Sequence, residues 1–203
     1  MTGRAALRCY CLALALLVPL PVLAGAQLYE PLADSVRAAL SAAISDRPPP
    51  TLNFRRPEDA YRWLFEMSRR LTKRIPDRAV RLRLLKTVHY EATRAGLDPQ
   101  LVLGVIDVES KFRKYAVSSS GARGYMQVMP FWTKLIGLPR DNLFHLRTNL
   151  RYGCVILRHY LDIEKGNYFR ALGRYNGSLG QMRYPSLVMK AWRKRWGYDA
   201  PTN

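Results

Sequence analysis

Acidic residues are scarce in this chain. Fifteen Asp and Glu stand against 33 Lys and Arg over 203 residues, a formal net charge of +18, so a cationic partner is a poor electrostatic match. Cysteine is scarcer still, with Cys9, Cys11 and Cys154 as the whole complement. The first two fall in an N-terminal leader described below, so the exported chain keeps one thiol and can form no intramolecular disulfide. Cys154 lies in the apolar run Cys154-Val155-Ile156-Leu157 and reads as a small core residue. No apolar run reaches the ~18 residues of a transmembrane helix. No internal period of about 20 to 50 residues suggests a solenoid, and the 13 Gly and 13 Pro lack the regular spacing of collagen.

Several catalytic constellations are missing as well. His89, His145 and His159 are scattered without a His-Glu-x-x-His pattern, and Cys154 has no partner for a zinc cluster. Gly121-x-x-Gly124 lacks the Gly-Lys-Ser/Thr ending of a phosphate loop, and Ser118 to Ser120 lacks the setting of a nucleophile elbow. No metal and no cofactor is expected. What remains is a chain with 48% hydrophobic and 11% aromatic residues, enough to bury the core of one domain.

Residues 1–26 read as a cleavable secretory signal. Arg4 and Arg8 supply the positive start, Cys11 to Val18 the apolar core, and Ala24-Gly25-Ala26 the small-residue cleavage site, so the mature chain is expected to begin at Gln27. An uncleaved anchor is the rival reading, but Pro19 and Pro21 interrupt the run after about ten apolar residues, short of a bilayer span. Leu23-Ala24-Gly25 is followed by Ala26 rather than cysteine, so no lipid anchor is expected. A periplasmic or cell-envelope location follows, with no membrane span after cleavage.

Of the basic residues 25 are arginine. Nucleic acid would be the default partner of so basic a cytosolic chain, but export disfavours it, and no nucleic acid is expected. Peptidoglycan carboxylates, phospholipid headgroups and anionic polysaccharides are the anions of the envelope. A basic face that serves only solubility is the plain alternative.

After the leader, residues 27–56 are expected to hold a helix over Pro31 to Ile44 and a Pro-rich linker at Arg47-Pro48-Pro49-Pro50. The compact domain then spans 57–203. Pro57-Glu58-Asp59 opens a helix to about Arg74, and a second runs from Asp77 to about Ala95, stopped by Gly96. Asp98-Pro99 opens a strongly apolar third helix that ends at Glu109. Residues 116–124 are turn-rich and suggest a small hairpin or irregular loop. Helical patterning resumes at Tyr125, with further helices near 131–136, 147–164, 168–175 and 185–196. The class is mainly α.

Glu109 ends an otherwise apolar helix, four and eight residues after Val105 and Leu101, and so shares their buried face. A carboxyl desolvated in this way keeps its proton to higher pH, as a general acid must. Asp107 points about 200° away around the helix and cannot pair with it. Position alone leaves a plain alternative, a helix-end glutamate meeting a Lys or Arg. Trp63, Trp132, Trp192 and Trp196 read as core or groove walls.

Glu109-Ser110-Lys111-Phe112, then Ala116-Val117-Ser118, then Gly121-Ala122-Arg123-Gly124-Tyr125-Met126-Gln127-Val128-Met129-Pro130 and finally Arg174-Tyr175-Asn176 together resemble the soluble lytic transglycosylase (SLT) family. The resemblance covers about residues 85–190. It implies a goose-type-lysozyme-like helical domain with a deep substrate groove and the peptidoglycan glycan strand as substrate. It implies Glu109 as sole acid/base, cleaving between N-acetylmuramic acid (MurNAc) and N-acetylglucosamine (GlcNAc) and leaving a 1,6-anhydro end, with the substrate's own acetamido group assisting. Ordinary glycoside hydrolysis uses two flanking carboxylates.

Ser118 and Gln127 correspond to polar residues near the acid and the sugar acetamido group, Met129 to an apolar groove wall, and Tyr175 and Asn176 to groove residues. Tyr184 matches the family's late groove tyrosine by approximate position. Gly121 and Gly124 read as backbone-permissive positions. Tyr125 stands where the family more often has leucine, and Arg174 where it has alanine. A muramidase hydrolysing the same bond and a non-catalytic cell-wall-binding module are the competing functions. A monomer is expected, and envelope or secretion-machine proteins are candidate partners.

Overall fold

A computed structural model describes residues 27–45, 52 and 54–198. The expected signal at 1–26 and the Pro48-Pro49-Pro50 run lie outside the described residues. Among the described residues eight α-helices follow one another: α1 (Asp34–Ser45), α2 (Pro57–Leu71), α3 (Arg78–Arg94), α4 (Pro99–Glu109), α5 (Phe131–Ile136), α6 (Leu146–Ile163), α7 (Tyr168–Asn176) and α8 (Arg183–Lys190). A π-helical turn over Ala191–Trp196 continues α8. Among the described residues there is no strand beyond isolated bridges of Val117 with Arg123 and of Arg123 with Val128.

Local chemistry sets the helix ends. In α2, Pro57 takes the first turn with Glu58 and Asp59, and Arg69 and Arg70 occupy the last, so both ends complement the helix dipole. Asp77 caps α3 by accepting from Val80 N at 3.0 Å. At the far end Gly96, with φ +66°, lets its own N–H reach Thr93 O and that of Leu97 reach Ala92 O, a Schellman stop. Asp98 caps α4 through Gln100 N at 2.7 Å while its other oxygen accepts from Trp192 Nε1 at 2.8 Å. One side chain therefore starts α4 and ties it to the π-helical turn.

The core surrounds α4, which packs against the π-helical turn, α8 and α3. Its residues Leu101 to Asp107 and Glu109 are all buried. Gly104 permits the close crossing, because a Cβ there would stand 3.0 Å from Trp192 N and 3.3 Å from Val188 O. Asp107 faces away from Glu109 and accepts hydrogen bonds from Arg74, Arg195 and Trp196 Nε1. Glu91 is buried on α3 and gathers Arg94, Arg147 and Arg151. Arg151 also donates to Ile44 O at 3.0 Å, fastening α1 to α6. A buried carboxylate is tolerated only with such partners.

Two stretches differ from the periodicity of the sequence. From Gly124 to Gln127 the chain is a turn rather than the start of a helix. The N–H of Met126 goes to Asn149 Oδ1 at 2.8 Å and that of Val128 to Arg123 O, not back along a helix. Near the C-terminus the expected helix over 185–196 divides into α8 and the π-helical turn, whose end is held by Arg70 on Arg195 O and Gly197 O.

Candidate active site

Glu109 is the last residue of α4 and is 5% exposed. The chain turns sharply after it. Ser110 donates from both N and Oγ to Ile106 O, and Lys111 and Phe112 take φ of +52° and +64°, a costly conformation for residues with a Cβ. Phe112 anchors the turn, buried with its ring 5.2 Å from that of Trp196 and under the Arg74 guanidinium. Gln127 is a third non-glycine residue at positive φ, +50°. Strain of this kind persists only where the surroundings over-determine it. Here it brackets the loop that follows Glu109.

That loop is braced from α6. Asn149 is fully buried, receives Met126 N, and donates from Nδ2 to Arg123 O at 2.8 Å and to Leu143 O at 2.9 Å. Gly124 lies against it with φ +76°, and a Cβ there would meet Asn149 Nδ2 at 2.6 Å. Gly153 on α6 makes room for Met126, whose Sδ would lie 2.4 Å from a Cβ. Gly121 has φ +85° and open space around it, so only its backbone conformation calls for glycine.

Tyr184, from the second residue of α8, reaches back to Glu109 and donates its hydroxyl to Oε1 at 2.6 Å, with both side chains buried. Burial and the adjoining Glu109 charge push the Tyr184 phenol well above its usual range, so it stays a donor. Tyr175 is fully buried on α7 and donates to Met126 O at 2.8 Å. Burial first, then the Glu109 charge, raises its phenol also. Asn176 follows it, 4% exposed.

The other sequence-derived positions are held by the loop itself. Gln127 is buried and spends its Nε2 hydrogens on Ala116 O at 3.1 Å and Gly124 O at 2.9 Å. Ser118 Oγ accepts from Ala122 N at 3.0 Å, and its backbone pairs with the same residue. Met129 is half-buried against the core. The structure thus brings Tyr184 directly onto Glu109 and Tyr175 into the same electrostatic neighbourhood, while Gln127 and Ser118 brace the loop. Cys154 is buried, and burial raises its thiol well above the usual range.

Sequence reasoning did not find Gln27, Tyr29 or Glu30. Gln27 is 4% exposed and its Oε1 accepts from Met129 N at 3.2 Å. Tyr29 sets its ring edge-on to Phe131 at 5.6 Å. Glu30 pairs with Arg174 at 3.2 Å, and Arg174 is held in turn by Glu164. Arg174, which departs from the family pattern, therefore fastens the N-terminal segment to α7. No local signal in the sequence marks a contact across 102 residues. A separate cavity of about 540 Å³ lies between α1, α5 and the start of α6. Of its polar walls, Tyr152 is bonded to Asp141 at 2.6 Å and Arg151 to Glu91.

Residues 86–191 match the model of the transglycosylase SLT domain. Among similar proteins, a transglycosylase of Enterobacteria phage PRD1 is 32% identical over 123 residues, 57% of this chain and 45% of the phage protein. Membrane-bound lytic murein transglycosylase C of Actinobacillus pleuropneumoniae serotype 5b (strain L20) is 50% identical over 46 residues, 23% of this chain and 13% of that protein. The protein of the same name from Glaesserella parasuis serovar 5 (strain SH0165) is 48% identical over 48 residues, 24% and 13% of the two chains. The chain spans less than half the length of these relatives. With a family match over more than half of its residues, this mainly helical chain belongs to the transglycosylase SLT domain family.

Proposed function

We propose that the protein is an exported peptidoglycan lytic transglycosylase that cleaves between MurNAc and GlcNAc, with Glu109 as its single acid/base. The observation that carries this reading is the Glu109 carboxyl at the buried end of α4, with one oxygen held by Tyr184. A protonated Glu109 gives its proton to the glycosidic oxygen as the bond to C1 of MurNAc breaks and GlcNAc leaves with a free hydroxyl. The C6 hydroxyl of the same MurNAc then closes on C1 and returns its proton to Glu109. The glutamic acid is regenerated, no water is consumed, and the product carries a 1,6-anhydro ring.

One carboxyl suffices for this sequence because the nucleophile belongs to the substrate, whereas ordinary glycoside hydrolysis uses a second carboxylate for the water or the glycosyl intermediate. Asp107 is unsuited to that part, being turned away and held by Arg74, Arg195 and Trp196. Tyr184 fixes the Glu109 rotamer, and Ser118, Gln127, Met129, Tyr175 and Asn176 shape the surface that meets the sugars. The leader at 1–26 directs the chain to the compartment that holds the wall. No helix among the described residues is long and apolar enough to cross a membrane.

Digestion of purified sacculi in H₂¹⁸O tests the reaction type. Anhydro ends free of ¹⁸O are expected; reducing ends labelled with ¹⁸O would make the protein a muramidase.

A further inference from the structure

The charge of this protein is unevenly spent. Four acids each hold two or three arginines: Glu91 takes Arg94, Arg147 and Arg151 and Asp107 takes Arg74 and Arg195 in the interior, while nearer the surface Glu66 takes Arg69 and Arg70 and Glu164 takes Arg170 and Arg174. Between Ser110 and Arg140 the sequence has no acid at all, yet it carries Lys111, Arg113, Lys114, Arg123, Lys134 and Arg140. All of these are exposed. Among the described residues Lys114 and Arg123 enter no ion pair.

These two cations are positioned nonetheless. Lys114 Nζ stands 4.9 Å from the centre of the Tyr115 ring, the Tyr115 and Phe144 rings lie 5.9 Å apart, and the Arg123 guanidinium is 5.9 Å from the Phe144 ring. A cation, two rings and a second cation thus form one row. Tyr115 is 70% exposed. Beside it a surface hollow of about 340 Å³ runs from Arg113 to Val117, about ten times the volume of one water.

Three members of the row, Lys114, Tyr115 and Arg123, belong to the loop that follows Glu109, and Phe144 comes from the segment before α6. Arg113 Nε is tied at 3.1 Å to the carbonyl of Ser110, the residue after Glu109. Ala116 O receives Gln127 Nε2 and Gly124 N, and Arg123 pairs with Val128 through both backbone groups. Lys114 and Tyr115 follow Glu109 by five and six residues, so this rim lies on the chain that leaves the carboxyl.

We propose that Lys114, Tyr115, Phe144 and Arg123 form a subsite for the free carboxylates of the peptide stems on the glycan substrate. This rests on the transglycosylase reading above. The glycan of a stem-bearing strand is itself uncharged, so the anions within reach are those of the stems. Two cations separated by two rings match a peptide that carries carboxylates at separate points along an apolar stem. The subsite gives the enzyme a preference for strands that keep their peptides over strands stripped by an amidase, which retain only the lactyl carboxylate close to the sugar ring.

The test compares stem-bearing sacculi with amidase-stripped glycan, using wild type, Lys114→Glu, Tyr115→Ala, and Lys86→Glu as a charge control on the exposed side of α3. Co-sedimentation is measured in a Glu109→Gln background, and product release with Glu109 intact. For Lys114→Glu the preference for stem-bearing over stripped glycan is expected to fall about fivefold at low salt, and less at high salt. Tyr115→Ala is expected to lower it in the same direction, and Lys86→Glu to leave it unchanged. An equal loss on both glycans, the result for a general polyanion or lipid patch, would overturn the subsite, as would no loss. If wild type released no product but its binding kept the stem dependence, the catalytic reading would fail and the subsite would stand.

Discussion

Replacing Tyr184 by Phe removes one hydroxyl and leaves the ring that fills the core. In the wild type that hydroxyl donates to Glu109 Oε1 at 2.6 Å, with both side chains buried. A hydrogen bond to a charged group contributes about 1.5–3 kcal/mol. It favours the carboxylate over the acid, so its loss should raise the Glu109 pKa. The alkaline limb of kcat/KM, where the general acid loses its proton, is expected to move to higher pH. The plateau should fall about ten- to a hundredfold as the carboxyl loses its fixed orientation. The tyrosine's own ionisation does not confuse the profile, because burial and the Glu109 charge hold it protonated well above its usual range. The assay is the initial rate of muropeptide release across pH, with the melting curve as a check on folding. An unmoved limb together with a rate within about twofold of wild type would refute this role for the bond.

Other perturbations follow from the same structure. His89 is buried, stacked on Phe54 at 4.4 Å, and burial lowers its pKa to about 4. Because the unfolded imidazole takes up a proton first, stability present above about pH 6.5 should decline as pH falls towards 4, by up to about 3 kcal/mol. Chemical denaturation of wild type and His89→Phe checks this, and equal pH slopes would contradict it. Gly124→Ala must fit a Cβ at 2.6 Å from Asn149 Nδ2 with φ +76° and should cost about 2–4 kcal/mol. Gly121→Ala has open space and should cost only about 1–2 kcal/mol of backbone strain, so equal melting-temperature losses would contradict the packing argument. On the proposed reading, in which Met129 lines the groove, Gln27→Ala frees its N–H for the sugar, and KM for sacculi should fall about two- to tenfold. A rise in KM would make Gln27 a wall that the substrate uses.

Much of the fold was legible because its helices announce their ends locally. Asp77 and Asp98 cap α3 and α4, Pro57 opens α2, and Gly96 closes α3, each by a contact within a few residues. The burial of Glu109 was legible from period alone. The turn at Gly124 to Gln127 was not, since its Met126 amide is claimed by Asn149 on a helix still to come in the chain. Tyr184 could be placed only approximately, as nothing near it in sequence records a bond across 75 residues. Nor does an arginine-rich sequence say which arginine meets which acid. Arg174 shows this, standing where the family has alanine and serving to hold Glu30 and Glu164.

The chemistry proposed for Glu109 depends on one proton-carrying carboxyl, and isosteric removal of that proton is its most direct test. Purified sacculi would be incubated with wild type and with Glu109→Gln, and the released muropeptides identified by mass spectrometry, after melting curves show both proteins folded. Release of 1,6-anhydro products by wild type and none by the variant is the predicted result. Undiminished release of the same products by Glu109→Gln would contradict it.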